Sequence, residues 1–189
     1  GLKLQFGSNN GLSAKDAKYY KTLNDHLKQV LEKMKENGGL QGQIAKFITD
    51  GDTQLVTITF KSYGQSCASS QNNNKGVPQQ AIFLMASFNF TPNGNLSKET
   101  GPTEDEIKQA IVVLSHEFGH SYFSFKDPDN VACVENIVRS ELGLPLRTEY
   151  IELTPKGQPT GNVFPVGKPT ENGEKQLSYF IEHGWKPKN

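Results

Sequence analysis

Apolar residues along the first part of the chain recur at helical spacing. Tyr20, Leu23, Leu27, Val30, Leu31 and Met34 fall on one stripe, so Ser13 to about Asn37 is expected to form a helix with one buried face. Ser13 can cap its start, with Asp16 three residues on as an imperfect capping box, and Gly38-Gly39 stops it. QGQIAKFI, just beyond, reads as a short helical turn. The period then changes. Thr53–Phe60, TQLVTITF, alternates and is rich in β-branched residues, which predicts a strand. SYGQSCASSQNNNKGVPQ has no such pattern and reads as a loop. Gln80–Phe90, QAIFLMASFNF, is a second strand, and TPNGN turns the chain after it.

Helical spacing returns after Gly101-Pro102-Thr103. Thr103 stands three residues ahead of Glu106, a capping box, and the helix is expected to run from about Glu104 to Tyr122. DPDN at 127–130 predicts a turn, after which Asp129 or Asn130 can cap a further helix at about 131–142. Gly143 and Pro145 end that helix. Beyond Tyr150 the chain is rich in Pro, Gly and Thr and reads as loop with room for a hairpin. QLSYFIEHGW is a short element whose type the pattern does not fix. The fold class expected is α+β: a small mixed or antiparallel sheet packed on the N-terminal helix and on the 104–122 helix, followed by a second helix. One domain spans 1–189, with a helix and sheet in 1–100, a helical pair in 101–150 and a loop-rich tail in 151–189.

Composition narrows the functional classes. The 189 residues carry a formal net charge of zero, so nothing points to nucleic acid or to an acidic membrane surface. No apolar run approaches the roughly 20 residues of a membrane span. The start, GLKLQFGSNNGLSAKD, lacks the basic head and apolar core of a signal peptide, and a domain cut from a longer chain would look the same. The two cysteines, Cys67 and Cys133, form no CxxC pair and read as idle or buried thiols.

The chemistry lies in VVLSHEFGHSYF at 112–123. The chain has four histidines, and two of them, His116 and His120, stand four apart with Glu117 beside the first. At about 100° per residue the two imidazoles leave the helix within roughly 40° of each other. Ile107, Leu114 and Phe118 lie near the opposite side. One face can therefore enter the core while the other offers two nitrogen ligands to a single ion. Glu117 points away from that pair, where it can hold a water rather than the metal. This is HExxH, which supplies two zinc ligands and a general base. The bland reading is two surface histidines on a core helix. His26 reads as a surface residue.

A third ligand is needed, and HExxHxxGxxH is absent. Asp127, Asp129, Glu135, Glu141 and His183 are the candidates. Val131, Val134, Val138 and Leu142 form the buried stripe of the next helix, and Glu135 falls within it. A carboxylate there is costly unless paired or metal-bound, so Glu135 is favoured. A buried ion pair with Arg139, four residues on, is the competing reading. Asp129 comes next, although its position suits capping equally well.

HEFGH followed by ENIVRSELGLPLRTEY at 135–150 resembles the zinc metallopeptidase domain of the NleD effector family and related C-terminal domains of Rhs-type polymorphic toxins. The match rests on Glu135, Asn136, Arg139, Glu141, Gly143, Leu144, Pro145, Arg147 and Tyr150. It implies a zincin-like fold, Zn2+, and proteolysis of a target-cell protein by a monomeric toxin or effector. It also implies delivery into the cell, with an immunity protein or a larger toxin polypeptide as partner. Clostridial neurotoxin light chains, similar in turn to these effectors, use an RxxY pair at the oxyanion. Arg147 and Tyr150 have that spacing, and a guanidinium and a phenol could donate to the developing charge. A structural Arg–carboxylate pair and a packed Tyr compete with that role. The alternatives in function are a zinc-binding module without catalysis and an ordinary secreted metallopeptidase.

Overall fold

The computed structural model describes residues 4–6, 12–50, 55–62, 66–72, 78–85 and 102–184. Its elements are β1 (Leu4–Phe6), α1 (Ala14–Ala17), α2 (Tyr20–Asn37), α3 (Gly39–Asp50), β2 (Leu55–Lys61), β3 (Cys67–Asn72) and β4 (Pro78–Met85). There follow α4 (Glu104–Phe118), α5 (Asn136–Glu141), β5 (Glu149–Leu153), β6 (Pro159–Pro165) and α6 (Glu171–His183). Two π-helical turns, Gly119–Phe123 and Val131–Glu135, lead out of α4 and into α5. The fold is mixed α+β, as the alternation of helical and strand periods predicts.

Four strands form one sheet in the order β1-β2-β4-β3. β1 and β4 run parallel to β2, and β3 runs antiparallel to β4. β5 and β6 form a separate antiparallel hairpin. On β2 the alternation works as expected: Val56, Ile58 and Phe60 are buried, while Thr57 and Thr59 are half-exposed. These side chains meet Leu23, Leu27, Val30, Leu31 and Met34 of α2, Ile44 and Ile48 of α3, and Ile111, Leu114 and Phe118 of α4 in a single core. Each such buried side chain contributes about 1.5–3 kcal/mol relative to exposure.

Several expectations change. The first helix breaks at Lys18–Tyr19 into α1 and α2, although Ser13 caps it as predicted, its Oγ accepting from Asp16 N. His26 is not a surface residue: it follows Leu23 by three and precedes Val30 by four, on the buried stripe of α2, and is 7% exposed. The Gly38-Gly39 stop holds, but α3 starts at once and runs twelve residues. Its start is capped from far along the chain. Glu141 at the end of α5 accepts from Leu40 N (2.6 Å) and Gln41 N (3.2 Å), and a Cβ on Gly39, at φ +63°, would collide with that carboxylate. Glu141 is thus a clasp between helices and not a metal ligand. Glu141→Ala is expected to lower stability by about 1–2 kcal/mol, read by urea denaturation, because the first turn of α3 loses its acceptor and its favourable charge.

β3 occupies part of the expected 62–79 loop, held by β4 as template rather than by its own polar sequence CASSQN. β4 fits the predicted strand as far as Met85, and the TPNGN turn lies outside the described residues. The tail uses the room left for a hairpin, as β5–β6, and the short element of unfixed type is a full helix, α6. An aromatic group pins α6 against the end of α4: Phe47, Phe118, Tyr122 and Phe180 lie with ring centroids 4.8–6.3 Å apart.

Candidate metal centre

α4 begins at the predicted capping box, with Thr103 Oγ1 accepting from Glu106 N and the Glu106 side chain returning to Thr103 N. Its buried residues include Ala110, Ile111, Leu114 and Phe118. That fixes the rotation of the helix and turns His116 and His120 toward a cleft of about 720 Å³. From Gly119 the helix widens into the π turn Gly119–Phe123, which carries His120, and ends at Ser124, whose φ of 59° is left-handed. The chain reverses there and brings Asp127 back beneath the two imidazoles.

Each histidine is held from behind. His116 Nδ1 lies 2.9 Å from Glu135 Oε2, and His120 Nδ1 lies 2.7 Å from the carbonyl oxygen of Phe125. A carbonyl accepts only, and the Glu135 carboxylate is kept ionised. Burial would raise its pKa, but His116, Arg139 and Arg147 outweigh that and lower it. Both Nδ1 atoms therefore carry the proton, and in the neutral rings both Nε2 atoms present bare lone pairs. Those two Nε2 atoms are 3.1 Å apart. Asp127 Oδ2 lies 3.1 Å from His120 Nε2 and 3.5 Å from His116 Nε2. His116, His120 and Asp127 are the group of possible metal ligands found among the described residues.

Three acceptors converging on one point repel unless a cation lies between them. The triangle suits a metal: tetrahedral ligands about 2.0–2.1 Å from zinc stand about 3.3 Å from one another. Two imidazoles and one carboxylate leave a fourth position open, the arrangement of catalytic rather than structural zinc sites. Protons are the other cation available. Burial lowers the His116 pKa, but its hydrogen bonds to Asp127 and Glu135 and the charges of Asp127 and Glu117 win, raising it to about 10. His120 moves up for a similar reason, through Asp127, against its own burial. Asp127 is driven well below the usual carboxylate range, since the two imidazoles outweigh the cost of its burial.

Glu135 is therefore corrected. It is 2% exposed and paired, as its place on an apolar stripe requires, but it touches His116 at Nδ1, on the ring edge remote from the convergence point. It also accepts from Arg139 Nε at 2.8 Å and from an Arg147 guanidinium nitrogen at 3.0 and 3.3 Å. The predicted i,i+4 pair with Arg139 is present, and the carboxylate grouped with the two imidazoles as a possible ligand is that of Asp127. Arg147, expected at the oxyanion, has its guanidinium engaged on Glu135, while Asn136 clamps its backbone with bonds of 2.8 and 2.9 Å. Tyr150 lines the cleft beside the triad, and burial with the nearby Asp127 charge pushes its phenol up to about 12. Asp129 is exposed and outside the triad, and does not cap the following turn. His183 stacks on Tyr179 at the end of α6.

Glu117 stands where the motif puts it, in the cleft wall next to the triad. It is 5% exposed, and its Oε2 has no hydrogen-bond partner among the described residues. Burial raises its pKa, only partly offset by the imidazoles and Lys61. A buried carboxylate with an unused acceptor and a raised pKa is suited to take and return a proton.

Sequence reading offered Asn130 only as a helix cap, and its side chain makes no capping bond. It is fully buried, and its Nδ2 donates to the His116 carbonyl (2.9 Å), tying the returning chain to α4. Gly119 makes room for it: a Cβ there would collide with Asn130 Oδ1 and approach Val134 Cγ2 to 2.9 Å. Gly119→Ala is expected to cost about 1–3 kcal/mol of stability by overpacking, measured as a lower denaturation midpoint, and to weaken zinc binding with it.

No family model, curated protein or solved structure matches this chain.

Proposed function

We propose that this chain is a zinc-dependent endopeptidase with a zincin-like fold, acting as a bacterial toxin or effector on a protein of the target cell. The observation that carries the enzymatic part is the convergence of His116 Nε2, His120 Nε2 and Asp127 Oδ2 beside Glu117, whose Oε2 has no hydrogen-bond partner among the described residues. The toxin part rests on the resemblance of 116–150 to NleD-like peptidases.

Zinc at the triad would supply a Lewis acid for a carbonyl oxygen and a water acidified toward neutrality. His116 and His120 hold their Nε2 lone pairs in place because Glu135 and Phe125 fix the tautomer. Glu117 takes a proton from the attacking water and returns it to the leaving amine. Tyr150 donates to the oxyanion, and a phenol with its pKa pushed up to about 12 keeps its proton for that purpose. Arg147 and Arg139 keep Glu135 ionised behind His116.

β4 offers a substrate strand no free edge, because it is bonded on both sides, to β2 and β3. β3 is the end strand of the described sheet, and Ser66, Cys67 and Ala68 line the cleft. An extended peptide could add there. Mass-spectrometric mapping of new N-termini in lysates treated with zinc-loaded protein tests the reading. Peptide ends that appear with the parent and not with a Glu117→Gln variant support it. Bound zinc without any new ends would leave a non-catalytic zinc module.

A further inference from the structure

The cleft is asymmetric. Its charged lining groups, Glu117, Asp127, Glu135, Arg139 and Arg147, gather at the triad. The remaining wall is uncharged, and the sequence explains why. Val112 and Val113 precede His116 and Glu117 by four residues, so they lie one turn up the same helix face. Opposite them, Ile151 and Leu153 of β5 reach into the cleft while 47% and 38% exposed. Ala68 of β3 lines the cleft as well. Among the described residues β5 pairs with β6 alone and β3 with β4 alone, so each has one ladder edge without a partner strand. Two strand edges thus contribute to the cleft that holds the triad, and Val112, Val113, Ile151 and Leu153 give it apolar wall beside the polar Gln109, Ser66 and Cys67.

We propose that Val113, Ile151 and Leu153 form a specificity site for a bulky apolar side chain close to the scissile bond of an extended peptide. This rests on the peptidase reading. A Leu, Ile, Met or Phe side chain entering there removes water from Ile151 and Leu153, whereas an acidic or basic one is desolvated against the side chains of Val113, Ile151 and Leu153. The Arg139 and Arg147 guanidiniums, engaged on Glu135, offer an acidic side chain little.

Fluorescence anisotropy of the zinc-loaded Glu117→Gln chain tests this without turnover. Two pools of short labelled peptides are compared, identical except for a central Leu, Ile, Met or Phe in one and Asp, Glu, Lys or Ser in the other. The apolar pool is expected to bind about tenfold to hundredfold more tightly. A double Ile151→Asp, Leu153→Asp variant is expected to lose that preference while keeping its zinc content and circular dichroism. A milder Ile151→Ser, Leu153→Ser pair should lose most of it. Equal binding of both pools, binding of neither, or a preference that survives the double variant overturns the proposal. If the preference is present but the parent cuts neither pool, the apolar site stands and the peptidase reading falls.

Discussion

Asp127→Ala is expected to abolish stoichiometric zinc binding, while Glu135→Gln keeps zinc with an affinity lowered about tenfold to hundredfold, the usual cost of losing an outer-shell partner. The contrast follows from which atoms face which. Asp127 Oδ2 lies 3.1 and 3.5 Å from the two Nε2 atoms, whereas Glu135 sits on Nδ1 of His116. Glutamine at 135 can still accept from Nδ1–H through its amide oxygen, so the ring keeps its tautomer but loses the basicity a carboxylate confers. Alanine at 127 removes the carboxylate that, among the described residues, stands at the convergence point, and leaves two imidazoles. Competition against a chromophoric zinc chelator measures both variants. The reverse order, with Glu135→Gln losing zinc and Asp127→Ala retaining it, would restore Glu135 as third ligand.

The second large effect is on turnover. Glu117→Gln is expected to lower hydrolysis of a sensitive protein by about 10²–10⁴-fold, the range for a general acid–base group, with zinc content unchanged. Glutamine has nearly the same shape and can fill the same 5%-exposed position, but its amide cannot take a proton from water. It also removes a buried carboxylate with an unpartnered oxygen, so the variant should be no less stable than the parent. A variant as active as the parent would mean that Glu117 is not the base.

The parts of the site that local periodicity controls were legible in the chain. The capping box at Thr103, the apolar side of α4 and the shared exit of His116 and His120 follow from spacing alone, and so does the burial of Glu135. What Glu135 touches was not legible. A stripe shows that a carboxylate must be paired, not whether the partner is a metal, an imidazole or a guanidinium. Asp127 was hidden for another reason. It sits seven residues after His120 in a segment without period, and it reaches the triad only because the π turn and the left-handed Ser124 reverse the chain. β3 carries no strand signal, since CASSQN owes its extension to β4. α3 was underestimated because Gly39 and Gly42 argue against a helix. Its burial against α2 and the Glu141 cap override that. His26 was misread although the signal was present, because a polar residue at an apolar phase of the stripe is still carried inward.

The most direct test is diffraction at the zinc absorption edge from crystals of the zinc-loaded chain. One anomalous peak is expected, about 2.0–2.2 Å from His116 Nε2, His120 Nε2 and a carboxylate oxygen of Asp127, with Glu135 still on His116 Nδ1. No peak at that point, or a peak ligated by Glu135 with Asp127 turned away, would contradict the account.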